Sequence, residues 1–184
     1  IYAIISAQRA DVTNLKYVYF FVFSSLAGWA LFAYFTTTQI IKSQQEYANI
    51  INRTGKQRML SQKTALVAKR YYETKDKDLK SHLVSLQALM HSDHKRITNL
   101  HLDSETAKAL YFKEPKLLNE KVNSYLSHVR GFIEDENLSS LRKIEALSFS
   151  LLPILNEAVN VFEHESETKT ELLLHRELFI LVGT

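Results

Sequence analysis

The residues best suited to chemistry lie in the stretch NRTGKQRMLSQKT, residues 52–64. A glycine inside a helix costs about 1 kcal/mol relative to alanine, so Gly55 calls for a compensating contact with its bare backbone. Arg58 follows almost one turn later, and a guanidinium on an interface must find a partner. Because the planar fork of arginine donates several N–H groups to one oxyanion, this pair favours a nitrate-sized or carboxylate-sized anion.

Helical spacing places these residues on two neighbouring stripes, and neither stripe is apolar enough for an ordinary core. One stripe holds Ile51, Gly55, Arg58 and Gln62, and the other holds Ile50, Thr54, Gln57 and Ser61. In a parallel homodimer two Arg58 side chains would meet at the symmetry axis, where two like charges require an anion between them. The alternative is a packing role, in which Arg58 pairs with Glu163 or Glu167 of the last helix and Gly55 lets helices approach closely.

The helix that carries this stretch begins in an apolar run. Residues 17–35 contain no charge over 19 positions, which is the length of a helix that crosses a bilayer. Arg9 and Lys16 precede the run, so the positive-inside tendency places the N-terminus in the cytoplasm. The end of the chain is apolar after Glu177, as at the start of a second span. We therefore predict a cytoplasmic segment 1–16, transmembrane helix 17–35, an extracytoplasmic domain 36–176 and the truncated start of a second transmembrane helix, 177–184.

The composition predicts an all-α fold, because 4 Gly and 2 Pro among 184 residues leave few places for tight turns. We expect the first span to continue as one helix to about Thr74 and a last helix to begin near Ser139, with Pro153 inside it. A helical turn with Asp103 or Ser104 as its N-cap separates the two middle helices. The result is an antiparallel four-helix bundle continuous with flanking transmembrane helices. The apolar repeats behind this prediction are Leu79, Leu83, Leu86, Met90, Ile97 and Leu100; Leu118, Val122, Tyr125, Val129 and Phe132; and Leu141, Leu151, Leu155, Val159 and Phe162.

Other classes of function find little support in the sequence. Zero cysteines remove thiolate chemistry, and a net charge of +3 is too small to indicate nucleic-acid binding. His91, His94 and His101 are loosely spaced in a polar segment, which favours a solvated face over a metal site. Since no phosphate loop, nucleophile elbow or HExxH motif occurs, we expect no catalytic residue, cofactor or metal here.

The stretch INRTGKQRMLSQKTALVAK, residues 51–69, resembles the N-x-x-G-x-x-R-M-x-S signature of the PilJ-type sensor domain, found at the N-terminus of type IV pilus chemotaxis transducers. It is also similar to the P-box of the NarX/NarQ-type nitrate and nitrite sensors of two-component systems. The matching positions are Asn52, Gly55, Arg58, Met59 and Ser61. Lys56 and Gln57 follow the PilJ-type pattern, whereas the P-box of the nitrate kinases is closer to GSLRMQSYR.

This resemblance implies a homodimeric sensor domain in the periplasm, attached to the inner membrane of a bacterium. It implies that Arg58 binds nitrate or nitrite at the dimer interface, with the backbone at Gly55 and surrounding residues Asn52, Met59, Ser61 and Gln62. Anion binding would then displace the first and last helices relative to each other. The alternative is a dimerisation module that binds no small ligand and reads a periplasmic or pilus partner.

Overall fold

The computed structural model describes the backbone of residues 2–99, 102 and 104–182, and the side chains of residues 15–99, 102 and 104–176. The described part contains five α-helices and no strand: α1 (Tyr2–Thr74), α2 (Lys77–Asn99), α3 (Glu105–Phe112), α4 (Leu118–Asp135) and α5 (Leu138–Val182). The prediction of an all-α, antiparallel four-helix bundle is confirmed. The bundle uses α2, α4 and parts of α1 and α5, and the short α3 fills the connection in which a helical turn was expected.

The chain divides into two compact units, one formed by Ile1–Ser43 with Leu172–Thr184 and the other by Gln44–Glu171. In the first unit, Phe20, Phe21 and Phe23 are more than 70% exposed, as lipid-facing side chains of a spanning helix would be. The segments Leu15–Thr74 and Leu138–Arg176 are long and apolar enough to cross a membrane, judged by length and composition. These features are compatible with a membrane protein. Most of the predicted second span, residues 177–184, has a helical backbone, but its side chains lie outside the described part.

The core of the Gln44–Glu171 unit is built from the predicted apolar repeats. Each long helix contributes one buried stripe, because residues three and four apart share a helix face. Of the expected core residues, Leu79 and Val159 are half-buried, and Leu100 lies outside the described residues. The predicted core residues that are buried in the structure are Leu83, Leu86, Met90, Ile97, Leu118, Val122, Tyr125, Val129, Phe132, Leu141, Leu151, Leu155 and Phe162.

The connections follow local rules. Ser104 is the N-cap of α3, and its hydroxyl accepts hydrogen bonds from the backbone N–H groups of Thr106 and Ala107 at 3.1 and 3.3 Å. The other N-cap candidate, Asp103, lies outside the described residues. The corner after α3 has a cis peptide bond between Glu114 and Pro115. Pro153 lies inside α5, as predicted.

One stripe of α1 corrects the sequence interpretation. Thr54, Gln57 and Ser61 are 0% exposed, so the stripe judged too polar for a core does face the core. Backbone carbonyls of α1 satisfy the two hydroxyl groups: Thr54 donates to the carbonyl of Ile50 at 2.9 Å, and Ser61 donates to the carbonyl of Arg58 at 2.8 Å. Small hydroxyl side chains can therefore be buried on a helix at little cost.

Gln57 is the exception on this stripe. Neither atom of its side-chain amide has a hydrogen-bond partner in the described part of the chain. An unpaired buried polar group costs about 1 to 3 kcal/mol. The core of the bundle beside Gly55 and Arg58 is therefore less stable than its packing alone would suggest.

The prediction of a solvated face around the histidines of α2 is wrong for His94. His94 is 3% exposed, stacks on Tyr111 with ring centroids 6.3 Å apart, and places Nε2 2.9 Å from the Oδ1 atom of Asn119. Burial lowers the pKa of His94, which favours the neutral ring. His91 is exposed, and His101 lies outside the described residues. His94 is buried because it falls between Met90 and Ile97 on the core stripe of α2, despite its polar neighbours in sequence.

Candidate functional site

Arg58 lies on the exposed side of α1. Its Nη1 atom donates a hydrogen bond of 2.9 Å to the Oδ1 atom of Asn156 on α5, and it forms no ion pair with any residue in the described part of the chain. The alternative partners Glu163 and Glu167 were therefore wrong. Glu163 follows Asn156 by seven residues, which is about 10 Å along a helix axis, beyond the contact that Arg58 makes. The positive charge of Arg58 is left without a counter-charge among the residues whose side chains are described.

Gly55 lies on the same side of α1 without a close neighbour. A Cβ atom added to it would meet nothing within 4 Å. The packing explanation, in which Gly55 lets helices of the same chain approach closely, is therefore wrong for the described structure. The bare backbone at Gly55 faces outward, where a ligand or a second chain could reach it.

The remaining candidate residues divide between the surface and the core. Asn52 is exposed, Met59 is 52% exposed, and exposed Gln62 donates from Nε2 to the carbonyl and hydroxyl oxygens of Ser148, each at 2.9 Å. Ser61 faces the core, where its carbonyl accepts hydrogen bonds from Tyr125 at 2.7 Å and Ser148 at 3.1 Å. The structure thus brings Arg58, Gly55, Asn52, Met59 and Gln62 to the surface and places Ser61 in the core.

The exposed surface of α1 also has the spacing of a helix-packing stripe. Gly55, Met59, Gln62 and Leu66 follow one another at intervals of four, three and four residues, and Leu66 is 58% exposed. We call this stripe the outer face of α1. Within one chain it buries little apolar area, so it is available for contact with another molecule.

Sequence reasoning missed a second charged cluster, between α1 and α2. The Oδ1 atom of Asp93 lies 2.8 Å from Nη1 of Arg53, and its Oδ2 atom lies 3.0 Å from Nζ of Lys56. The side chain of Asp93 is only 6% exposed, so this carboxylate is buried although it lies in the polar segment around His94. Its burial could have been predicted from helical spacing, because Asp93 follows Met90 by three residues and precedes Ile97 by four on α2.

Comparison with known proteins places this site in a family. Residues 40–142, more than half of the chain, match the family described as the type IV pili methyl-accepting chemotaxis transducer N-terminal domain, PilJ. The chain belongs to this family. The PilJ match begins in α1, ends in the first residues of α5 and includes both Gly55 and Arg58. Neither the curated proteins nor the solved structures contain a match.

Membership of the PilJ family identifies the broad role of the chain. A PilJ domain is the N-terminal part of a chemotaxis transducer, so the chain is an input domain for signalling. The PilJ side of the predicted resemblance is therefore confirmed.

Proposed function

We propose that this PilJ domain is the periplasmic input domain of a bacterial inner-membrane receptor and that a homodimer of it binds a small oxyanion, nitrate or nitrite. Arg58 from each chain donates N–H groups to the anion, and the backbone at Gly55 lines the site. Met59, Asn52 and Gln62 surround it. We further propose that the site is related to the nitrate-binding P-box of the NarX/NarQ-type sensors, which the sequence of residues 51–69 resembles.

The proposal is supported chiefly by the uncompensated charge of Arg58. The hydrogen bond of its side chain in the described part of the chain goes to the uncharged amide of Asn156, and it has solvent access on a face where an added Cβ at half-buried Gly55 would meet nothing within 4 Å. A charged oxyanion is a stronger acceptor for a guanidinium than an uncharged amide. Two chains that meet at this face would place two such cations together, and a shared anion would neutralise them.

The contacts of Arg58 and Gln62 suggest how anion binding would change the arrangement of α1 and α5. Both side chains link α1 to α5, through Asn156 and Ser148 respectively. An anion that draws the guanidinium of Arg58 away from Asn156 would remove one of these links and change the relative height or tilt of the two helices. The size of that change is limited by the preference of the anion for one arrangement over the other.

Isothermal titration calorimetry on the full chain in detergent micelles tests the proposal, with nitrate, nitrite and chloride compared at constant ionic strength. We expect heat with nitrate or nitrite, a stoichiometry of one anion per two chains, and no heat with chloride. Arg58→Lys keeps the charge but loses the planar fork, so we expect binding weaker by about tenfold or more.

Arg70→Lys is the matched control, since Arg70 is an exposed arginine of the same helix about three turns away. Its affinity for nitrate should equal that of the unmodified chain. Absence of heat with every oxyanion, or equal affinities for the Arg58→Lys and unmodified chains, would disprove anion recognition by Arg58.

The alternative function is a module that dimerises without a ligand and binds a periplasmic or pilus partner. The exposed apolar side chains of Met59 and Leu66 on the outer face of α1 favour this alternative. Such a face is typical of protein contact. A stable dimer that gives no heat with any oxyanion would support this alternative.

A further inference from the structure

A groove lined by positively charged residues runs between α1 and α2. It has a volume of about 390 Å³, within the range of clefts that hold small organic ligands. Its residues come from both helices: Asn49 and Arg53 from α1, and Ser92, Lys95, Arg96 and Asn99 from α2. None of these six residues is acidic. The groove therefore combines three cations with the neutral polar groups of two asparagines and a serine.

One acid, Asp93, is paired with Arg53 of this groove, and the groove keeps a net positive charge from its other two cations. Asp93 is buried beside it and is already shared between Arg53 and Lys56. Arg53 also donates from Nε to the Oδ1 atom of Asn49 at 3.0 Å, so two contacts fix the direction of its side chain. Lys95 and Arg96 are exposed and form no ion pair with any residue whose side chain is described. The charge that the groove presents to solvent is positive.

This groove is distinct from the site around Arg58. Arg53 precedes Arg58 by five residues, and five residues rotate an α-helix by about 140° beyond a full turn. The two arginines therefore point to different sides of α1. A ligand of the groove would therefore contact a different side of α1 from the anion proposed at Arg58.

We propose that the groove binds a small organic dianion of the dicarboxylate class. One carboxylate would accept hydrogen bonds from Arg53 and Asn49, and the other would lie against Lys95 and Arg96, with Asn99 and Ser92 as further donors. An anion of nitrate or phosphate size would leave most of a groove of this volume to water. A dicarboxylate can bridge α1 and α2, and Nη2 of Arg53, which neither of the two contacts of that side chain uses, can donate a charge-assisted hydrogen bond to a carboxylate.

In this arrangement Asp93 is a positioning residue. It holds Arg53 at 2.8 Å in an orientation toward the groove and supplies the counter-charge that makes a partly buried arginine tolerable. Arg53 is thus preorganised, whereas Lys95 and Arg96 are free to move onto the ligand.

Isothermal titration calorimetry of the full chain in detergent micelles tests the groove with succinate, acetate and inorganic phosphate at an ionic strength of about 0.15 M, where exposed charges are strongly screened. We expect succinate to bind measurably and acetate to bind at least about tenfold more weakly, because acetate has only one carboxylate to accept hydrogen bonds from the cations of the groove. Phosphate that binds as tightly as succinate would overturn the assignment to dicarboxylates.

The double variant Lys95→Gln/Arg96→Gln removes the exposed cations while keeping side chains of similar length. Since both residues are exposed, the fold should be retained, and we expect succinate affinity to fall about tenfold or more. The matched control Lys69→Gln/Arg70→Gln removes the same charge from an exposed pair on α1 outside the groove, and its affinity should change less than about twofold.

Equal affinities for succinate in the groove variant and the unmodified chain would disprove the proposal, as would equal losses in the two double variants. Nitrate provides the independent readout, because nitrate binding should depend on Arg58 and be retained in the groove variant. Loss of succinate binding without loss of nitrate binding would therefore confirm two separate sites.

Discussion

At the scale of single residues, Gly55 and Arg58 contribute little to the folding of one chain. An added Cβ at Gly55 would meet nothing within 4 Å, and Arg58 donates a hydrogen bond to an uncharged amide at the surface. A glycine in a helix interior has an entropic cost relative to alanine. The proposed anion site would offset this cost, and this can be tested by replacing Gly55.

We expect Gly55→Ala to raise the free energy of unfolding by up to about 1 kcal/mol, because alanine favours the helix and its Cβ atom meets nothing within 4 Å. The same change should weaken nitrate binding, since the methyl group would occupy the space that the proposed anion or the second chain needs. Thermal unfolding followed by circular dichroism and calorimetry with nitrate measure the two effects.

Gly131→Ala is the matched control for this experiment. Gly131 lies inside α4 and likewise has no atom within 4 Å of an added Cβ. It should gain similar stability and leave nitrate binding unchanged. If Gly55→Ala gained stability and bound nitrate as well as the unmodified chain, Gly55 would have no role in the site.

At the scale of elements, one carboxylate joins three helix ends at the tip of the bundle. Glu136 is the C-cap of α4 in the left-handed conformation, with φ of 50°. It accepts a hydrogen bond from the Tyr71 hydroxyl of α1, and Nζ of Lys80 in α2 lies 2.6 Å from the same oxygen. Lys75, between α1 and α2, reaches the other oxygen at 3.2 Å. These contacts hold the turn between α1 and α2 against the end of α4.

This cluster predicts a specific dependence on pH. Hydrogen bonds, first from Lys80 and then from Tyr71 and Lys75, lower the pKa of Glu136 from 4.5 to about 2. Because the pKa is lower in the folded state, the unfolded chain binds the proton first as pH falls. The stabilisation by Glu136 is therefore complete above about pH 4.5 and is lost between about pH 4.5 and pH 2.

The variant Glu136→Gln isolates this contribution. We expect its melting temperature to lie below that of the unmodified chain at pH 7, and the difference to shrink below pH 4.5 as the unmodified chain loses its charge. Thermal unfolding at a series of pH values measures this difference. Glu134→Gln, an exposed carboxylate on the same helix, should show little difference at any pH, and a similar loss in both variants would contradict a specific role for Glu136.

At the scale of the whole molecule, the outer face of α1 is the strongest candidate for self-association. Met59 and Leu66 are 52% and 58% exposed there, although a helix of a stable bundle normally turns such residues inward. We expect the full chain to form a homodimer in detergent and the double variant Met59→Glu/Leu66→Glu to be monomeric, because four like charges would oppose each other across the axis.

Analytical ultracentrifugation over a range of chain concentrations measures this equilibrium. The control Val84→Glu/Leu89→Glu changes two apolar residues of α2 that are 45% and 39% exposed, and it should remain dimeric. A monomer at every concentration, or dissociation of both variants alike, would contradict an interface on the outer face of α1.

The apolar pattern predicted the helices because burial of apolar area dominates packing, so residues at three- and four-residue spacing turn to the same side. Val122, Tyr125 and Val129 followed this rule directly. Polar residues did not: Gln57, Asp93 and His94 are buried, and Thr54 and Ser61 line the core. The free energy of burying a polar group depends on whether another element supplies its partner, and a local pattern does not contain that information.

The sequence by itself therefore determined the helical class, the apolar core of each helix, the membrane-length segment and the motif that carries Gly55 and Arg58. Only the tertiary structure decided which stripe of α1 faces the core, where the carbonyl of Ser61 accepts hydrogen bonds from Tyr125 and Ser148 on other helices. It likewise gave Arg58 a neutral partner in Asn156 and placed Arg53 beside Lys95 and Arg96, since helices distant in sequence meet only when they pack.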